Sequence, residues 1–173
     1  MQSLKIVLLA VTACVLYGVV HDQFTARICV EYFTVGHPPV FGTDDPTLLG
    51  LGWGVIATWW VGVLLGVPLA LAARVGSRPK LAWRKLVQPL CVVMAVSAVL
   101  AIAAGAVGYF AASGGQLTLW PAMADRLPPE KHVPFLVDLC AHNASYAGGF
   151  LGGAVLTVWV WRRRGVLRSG NVS

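Results

Sequence analysis

Four long apolar stretches, separated by short polar segments, dominate the pattern of this chain. Each is long enough to cross the ~30 Å hydrocarbon core of a bilayer as a helix, which takes about 20 apolar residues. None alternates apolar and polar residues, as the strands of a membrane barrel do. The pattern predicts an all-α bundle of four transmembrane helices in one membrane domain over residues 1–173. The predicted helices lie at about 4–24, 47–73, 87–112 and 134–161.

Composition supports a bilayer as the surroundings of the chain. Hydrophobic residues make up 57% of it and charged residues only 12%, outside the usual range of a soluble domain. The formal net charge is +6, but no basic patch with interleaved aromatic residues is present. We therefore expect lipid, and no nucleic acid, as a partner.

Lys and Arg are distributed unevenly between the two sides of the predicted membrane. Ten of the thirteen fall near residue 5, in the loop 74–85 or in the tail 162–168. The other side holds only Arg27, Arg126 and Lys131. Because basic residues stay in the cytoplasm, both termini are predicted to be cytoplasmic in a multi-pass protein of a bacterial inner membrane. The loops 25–46 and 113–133 then face out.

The first outer loop contains an alternating segment followed by a turn-rich one. Residues 25–34 are rich in β-branched side chains, and an extended backbone would place Arg27, Cys29 and Glu31 on one face. A continuing helix would instead bring Arg27 next to Glu31. We expect the loop to be partly extended. Asp45 and Pro46 are typical of the N-cap and first position of the next helix.

Small residues recur at every fourth position in three of the predicted helices, which favours close helix contact. The stripe is longest in the second helix, and it indicates either tight packing within the bundle or association with a protein partner or a second copy. Its members are Gly54, Thr58, Gly62, Gly66 and Ala70.

All seven acidic residues and all four histidines fall on the predicted outer side. The positive-inside rule, which keeps Lys and Arg on the cytoplasmic side, hardly constrains Asp and Glu and does not apply to neutral His. Within the fourth helix, Asp138, His142 and Tyr146 share one face. Ionisable residues inside an apolar helix are costly and mark candidate functional sites.

Imidazoles and carboxylates that converge from separate helices are the ligands a transition metal such as iron, copper or zinc takes. A haem between His21 and His142 would use the same two helices. The alternatives are a structural polar network or a metal-free acid–base or ligand site, since no compact ligand motif is present. The candidate ligands are His21, Asp22, Glu31, His37, Asp138 and His142.

Two cysteines, Cys29 and Cys140, fall on the outer side, where an oxidising compartment allows a disulfide. Their spacing leaves open whether they form one.

The sequence favours a small polytopic protein whose His- and acid-rich outer face binds a ligand or partner, as a subunit of a membrane complex. The alternative is a membrane-embedded metal- or haem-dependent enzyme with its site at the outer ends of helices one and four. A transporter is disfavoured, because the inner halves of the four helices contain no charged side chain.

Overall fold

The computed structural model of the protein describes the backbone of residues 1–169 and the side chains of residues 1–166. Arg168, which was counted for orientation, lies outside the described side chains. The described backbone is helical and contains no strand. Its helices are α1 (Gln2–Ile28), α2 (Val30–Thr34), α3 (Pro46–Ile56), α4 (Trp59–Arg74), α5 (Arg84–Ser113), α6 (Pro121–Ala124) and α7 (His132–Ser169), with a 3₁₀ turn at Pro129–Lys131.

Within the described residues, four helical segments are long and apolar enough to span a membrane, which confirms the predicted number. They are Gln2–Ile28, Pro46–Arg74, Arg84–Ser113 and Pro129–Val166. Asp45 caps the second segment as predicted, accepting hydrogen bonds of 2.9 Å from the backbone N–H groups of Thr47 and Leu48.

The second segment is interrupted, whereas the sequence predicted one continuous helix over 47–73. The interruption lies at Ala57 and Thr58, between α3 and α4. The Thr58 hydroxyl donates to the carbonyl of Gly54 at 2.5 Å. In a regular helix the backbone N–H of Thr58 would donate to this carbonyl, so the side chain replaces a backbone hydrogen bond. The Thr58 N–H instead donates to the carbonyl of Val55, three residues back, at 3.3 Å.

Residues 25–34 are helical except at Cys29, so the expected extended segment is not observed. Cys29 has extended dihedral angles and separates α1 from α2. Ala26, Cys29 and Phe33 are all buried in one apolar cluster. Their i, i+3 and i+7 spacing fits one face of a helix and not the two-residue alternation of a strand, and burial of that face stabilises the helix. Arg27 bonds Gln23 and Thr47 instead of Glu31.

Helix α1 lies against α3 and α4, and helix α5 lies against α7. A side chain at Gly54, Gly62 or Gly66 would collide with the backbone or side chains of α1. The small-residue stripe of the second helix is therefore used inside this chain, where it lets two backbones approach closely. Association with another chain through this stripe is not supported, and a partner at another surface stays a prediction.

Two apolar clusters lie at opposite ends of the bundle. We call the end that holds residues 25–45 and 114–131 the loop-rich end, and its cluster includes Phe33, Leu49 and Phe135. The opposite end, which holds residues 75–83, is called the basic end, and Ile6 and Val160 are buried there.

Arg164 is fully buried at the basic end. Its guanidinium group donates to four backbone carbonyls at the end of α4 and in the following loop, which have no partner within a helix. The acceptors are Pro79 at 2.7 Å, Arg78 at 2.9 Å, Val75 at 3.0 Å and Ala72. One side chain of α7 thus ties the end of α4 to the loop that leads into α5.

We predict that Arg164→Ala destabilises the protein, whereas Arg162→Ala, an exposed neighbour on α7, does not. Hydrogen bonds to a charged group contribute roughly 1.5–3 kcal/mol each, so the free energy of unfolding should fall by about 2 kcal/mol or more. Denaturant unfolding in detergent micelles measures the difference. Equal stability of the two variants would contradict the role assigned to Arg164.

Candidate functional site

Three of the six predicted ligands converge at the loop-rich end. His21, Asp22 and His142 each offer one ligand atom, and these atoms lie within 4.8 Å of one another. Asp22 and His142 are buried, and His21 is half-buried. We call these three residues the His–Asp cluster. It joins the end of α1 to the first third of α7, two helices separated by more than 100 residues.

The imidazole of His142 is held in one orientation. Its Nδ1 lies 2.8 Å from the backbone carbonyl of Asp138, and a carbonyl can only accept, so Nδ1 carries a proton. Its ring is stacked on Tyr32 at 4.4 Å between centroids and meets the edge of His21 at 4.6 Å. These contacts fix both the ring plane and the tautomer of the neutral ring.

The other nitrogen of His142 faces a carboxylate. Nε2 lies 3.3 Å from Oδ1 of Asp22, but the geometry does not make a hydrogen bond, and Nε2 has no other partner among the described residues. Because Nδ1 carries the proton of the neutral ring, Nε2 carries a lone pair instead. A lone pair beside a carboxylate is unfavourable unless a proton or a cation lies between them.

His21 supplies the third side of the cluster from α1. Its ring is stacked on Tyr17, one turn earlier, at 5.8 Å between centroids. Its Nε2 is buried and has no partner within the described part of the chain. A buried polar atom without a partner costs roughly 1–3 kcal/mol, so each of the two histidines of the cluster contains one unsatisfied buried nitrogen.

Asp138 lies outside the His–Asp cluster, although the sequence placed it among the ligands. Its side chain is fully buried, and neither carboxyl oxygen has a partner in the part of the chain that is described. Its backbone carbonyl, not its carboxylate, serves the cluster by orienting His142. A backbone contact of this kind cannot be read from residue types.

His37 also lies outside the cluster but lines the cavity next to it. Its Nδ1 is 2.8 Å from the carbonyl of Tyr32, and its ring packs against Trp53 at 4.7 Å between centroids. Through these contacts the loop after α2 closes over the cluster.

Glu31 pairs with Lys131 at 2.9 Å instead of joining the cluster. Desolvation raises the pKa of Glu31, but hydrogen bonds from Lys131, the backbone and Cys29 outweigh it, so its pKa is lowered. Burial raises the pKa of the Cys29 thiol to about 12, and this thiol donates to Glu31 at 3.4 Å. Cys29 and Cys140 are both free thiols in this structure.

A cavity of about 80 Å³ opens beside the His–Asp cluster. It runs from His37 and Trp53 at the loop-rich end past the cluster to Ser97 and Gly149. One water needs roughly 10–15 Å³ of such space. The cavity therefore has room for several waters or one small molecule.

The interruption between α3 and α4 forms part of the cavity wall. The hydroxyl of Tyr146 donates to the carbonyl of Ala57 at 3.2 Å, and the hydroxyls of Tyr17 and Ser145 are 2.6 Å apart. At membrane depth, irregular backbone is tolerated where it is buried in protein or lines a water-filled cavity. Apart from Gly54 and Thr58, no residue pattern in the second segment indicates this break.

The sequence also missed Tyr32 as the residue stacked on His142. Tyr32 falls in the segment expected to be extended, where it would have been on the face opposite to Cys29 and Glu31. Helical spacing from Cys29 to Tyr32 and Phe33 would have indicated a common buried face.

No protein-family model matches this chain, and no curated protein or solved structure is detectably similar to it. The site is therefore interpreted from its own geometry.

We predict that Tyr146→Phe destabilises the protein, because it leaves the Ala57 carbonyl without its hydroxyl donor. An unpaired buried carbonyl costs about 1–3 kcal/mol, and denaturant unfolding should show a loss in that range. Tyr109→Phe is the matched control, since Tyr109 is largely exposed. If the two variants unfold alike, Tyr146 does not support the helix break.

Proposed function

We propose that this protein binds one transition metal ion through His21, Asp22 and His142, and that it is a membrane-embedded metal-dependent enzyme. The observation that carries the proposal is the convergence of three ligand atoms, within 4.8 Å of one another, from α1 and α7. The proposal adopts the alternative interpretation of the sequence and narrows its six candidate ligands to three.

The spacing of the ligand atoms suits a single ion. Ligands at the usual ~2.0–2.1 Å from tetrahedral zinc are about 3.3 Å from each other, and His142 Nε2 lies 3.3 Å from Asp22 Oδ1. The remaining separations are at most 4.8 Å, so closure around an ion needs a shift of at most about 1.5 Å by His21. Rotation of one half-buried side chain suffices for that.

The surroundings of the cluster are those of a metal-binding histidine. A ligating His usually donates its other N–H to a carbonyl or carboxylate, which fixes the ring and makes the free nitrogen a better ligand. His142 donates in this way to the carbonyl of Asp138 at 2.8 Å. A cation also removes the conflict between the lone pair of Nε2 and the Asp22 carboxylate.

Two imidazoles and one carboxylate favour zinc or iron(II) over soft-ligand copper(I) sites. Three protein ligands leave a coordination position open, as in catalytic metal sites. The cavity adjoins the cluster, so a substrate or water in it can reach that position. A zinc ion placed so would polarise a carbonyl or lower the pKa of bound water.

A haem fits the geometry poorly. The rings of His21 and His142 are in edge contact, 4.6 Å between centroids, which leaves no space for a macrocycle between them. The cavity of about 80 Å³ is also much too small for one. The geometry therefore favours a bare ion.

A metal-free pair of protonated His142 and ionised Asp22 is the competing interpretation. It accounts for the 3.3 Å contact but leaves the buried Nε2 of His21 without a partner. A metal ion accounts for both. The role of a complex subunit stays a prediction, because the exposed apolar side chains of the helices are those that lipid itself would cover.

Metal analysis of the purified protein tests the proposal. We expect about one equivalent of zinc or iron per chain, and loss of it to background in His142→Ala and in Asp22→Asn, each of which removes a ligand. Since an ion that binds only the folded state stabilises it, a chelator should lower the unfolding temperature of the native protein but not of His142→Ala.

Glu31→Gln is the matched control, because Glu31 is an acidic residue of the same end that pairs with Lys131 outside the cluster. It should keep its metal. A native protein that purifies without metal and fails to bind added Zn²⁺ or anaerobic Fe²⁺ would refute the proposal. Equal metal content in native protein and His142→Ala would do so too.

We further propose that the loop-rich end faces away from the cytoplasm. The support is the charge count, with ten of thirteen Lys and Arg residues at the basic end or in the tail. The metal site then lies near the outer surface of an inner membrane, and both termini are cytoplasmic.

Reporter fusions in a bacterial host test this orientation. Green fluorescent protein fused after residue 173 should fluoresce, and alkaline phosphatase at the same position should be inactive. Alkaline phosphatase inserted between residues 114 and 115 should be active. The reverse result at both positions would invert the assigned topology.

A further inference from the structure

A groove of about 470 Å³ lies between α5 and α7 and begins at the basic end of the bundle. It follows α5 from Lys85 to Val96, a distance of about 16 Å at ~1.5 Å per residue. The hydrocarbon core of a bilayer is ~30 Å thick, so the groove extends over roughly one leaflet. Several of the side chains that form it, Val92 and Val155 among them, are exposed. The groove is therefore open to the lipid that would surround the bundle.

Polar and apolar residues are separated along the groove. Lys85 of α5 and Arg163 of α7 line its beginning at the basic end, and both are exposed. Gln88 and Trp159, one turn further along the two helices, line the next part. All the remaining residues that line the groove are valine, leucine, proline or glycine. This order of charged, polar and apolar residues matches the order of groups in an amphiphile.

The floor of the groove is formed where α7 touches α5. Gly148 and Gly152 line it, and a Cβ atom at Gly152 would lie 2.8 Å from the side chain of Val93. Because these glycines have no side chain, they leave a channel between exposed valines on either side, Val96 of α5 and Val155 of α7. A hydrocarbon chain in this channel would gain dispersion contacts from the floor and from both walls.

The two cations at the beginning of the groove have no acidic partner. All seven acidic residues of the chain lie in the half of the bundle at the loop-rich end, and neither cation forms an ion pair within the described structure. Arg163 lies over the ring of Trp159, 4.8 Å from its centroid, which holds the guanidinium group beside the groove.

The start of α5 adds to the positive potential at the same place. Lys85 lies in the first turn of α5, which contains no acidic residue. The helix dipole disfavours a cation at a helix N-terminus and favours an anion there. An anionic group at this end of the groove would therefore be attracted by Lys85, by Arg163 and by the helix terminus together.

We propose that the groove binds one anionic phospholipid, with its phosphate at Lys85 and Arg163 and one acyl chain along the apolar channel. The positive-inside rule accounts for basic residues at this end, but it does not account for an apolar groove that begins between two of them. The assignment is independent of the proposed metal site, because no residue of the His–Asp cluster lines the groove.

Native mass spectrometry of the full-length protein, released from detergent micelles, tests the proposal. The probes are dioleoylphosphatidylglycerol and dioleoylphosphatidylcholine, which carry the same chains and differ in net headgroup charge. The native protein should bind one molecule of the anionic lipid about tenfold more tightly than the zwitterionic lipid, since charge-assisted hydrogen bonds to an anion are strong. Equal affinity for the two lipids would overturn the headgroup site.

Lys85→Gln combined with Arg163→Gln should remove this preference, because both cations of the groove are lost. Lys80→Gln combined with Arg162→Gln is the matched control. It removes the same number of charges from exposed positions of the same end, but neither residue lines the groove, so the preference should persist. An equal loss in both double variants would show only a general attraction of basic residues to anionic lipid, and it would overturn the site.

Val96→Trp tests the position of the acyl chain. The indole would occupy the apolar part of the groove, so the affinity for both lipids should fall. Val99→Trp, at an exposed position of α5 outside the groove, should bind both lipids as the native protein does. Native-like binding by folded Val96→Trp would overturn the assignment of the chain to the groove. If Val96→Trp does not fold, the two double variants decide the question.

Discussion

Four helical segments of the described chain are long and apolar enough to span a membrane, and the hydrocarbon of a bilayer would offer them no hydrogen-bond partner. This constraint accounts for most of the structure. It requires each spanning segment to satisfy its own backbone, which four long helices do. Where the backbone departs from a helix, side chains take over. The break at Ala57 is bonded by Tyr146 from α7, and the carbonyls after α4 are bonded by Arg164 from the same helix.

Under the same constraint, polar atoms without a protein partner are significant, because no solvent is available to bond them. In water, a histidine nitrogen or a serine hydroxyl without a protein partner is unremarkable, because solvent bonds it. Inside this bundle, His21 Nε2, His142 Nε2 and Ser97 Oγ are buried without partners in the described structure. His21 and His142 line one cavity, and one ion bound between them would give both side chains a partner. The unsatisfied carboxyl oxygens of Asp138 lie outside that cavity and are not explained in this way.

The sequence predicted the four helices, the Asp45 cap and a set of polar residues that includes the His–Asp cluster. These features follow from hydrophobic length, cap chemistry and the cost of ionisable residues in an apolar helix. The sequence did not show that Asp22 belongs to the cluster and that the Asp138 carboxylate does not. Both are acidic residues near helix ends, and only the rotation of the helices decides which carboxylate reaches the ring of His142. Nor could it predict the helix at residues 30–34, since burial of Tyr32 and Phe33 against distant residues such as Phe135 stabilises that turn.

One face of α7 lines the cavity beside the His–Asp cluster. His142, Tyr146 and Gly149 follow each other at helical spacing on the side that faces the cavity. The first supplies a ligand atom, the second bonds the broken helix, and the third leaves space. Because these three positions belong to one helix, a shift of α7 against α1 would change the separation of the clustered ligand atoms and the width of the cavity together. Under the proposed function, closure of the cluster around an ion and the width of the cavity beside it are therefore coupled by the packing of α1 and α7.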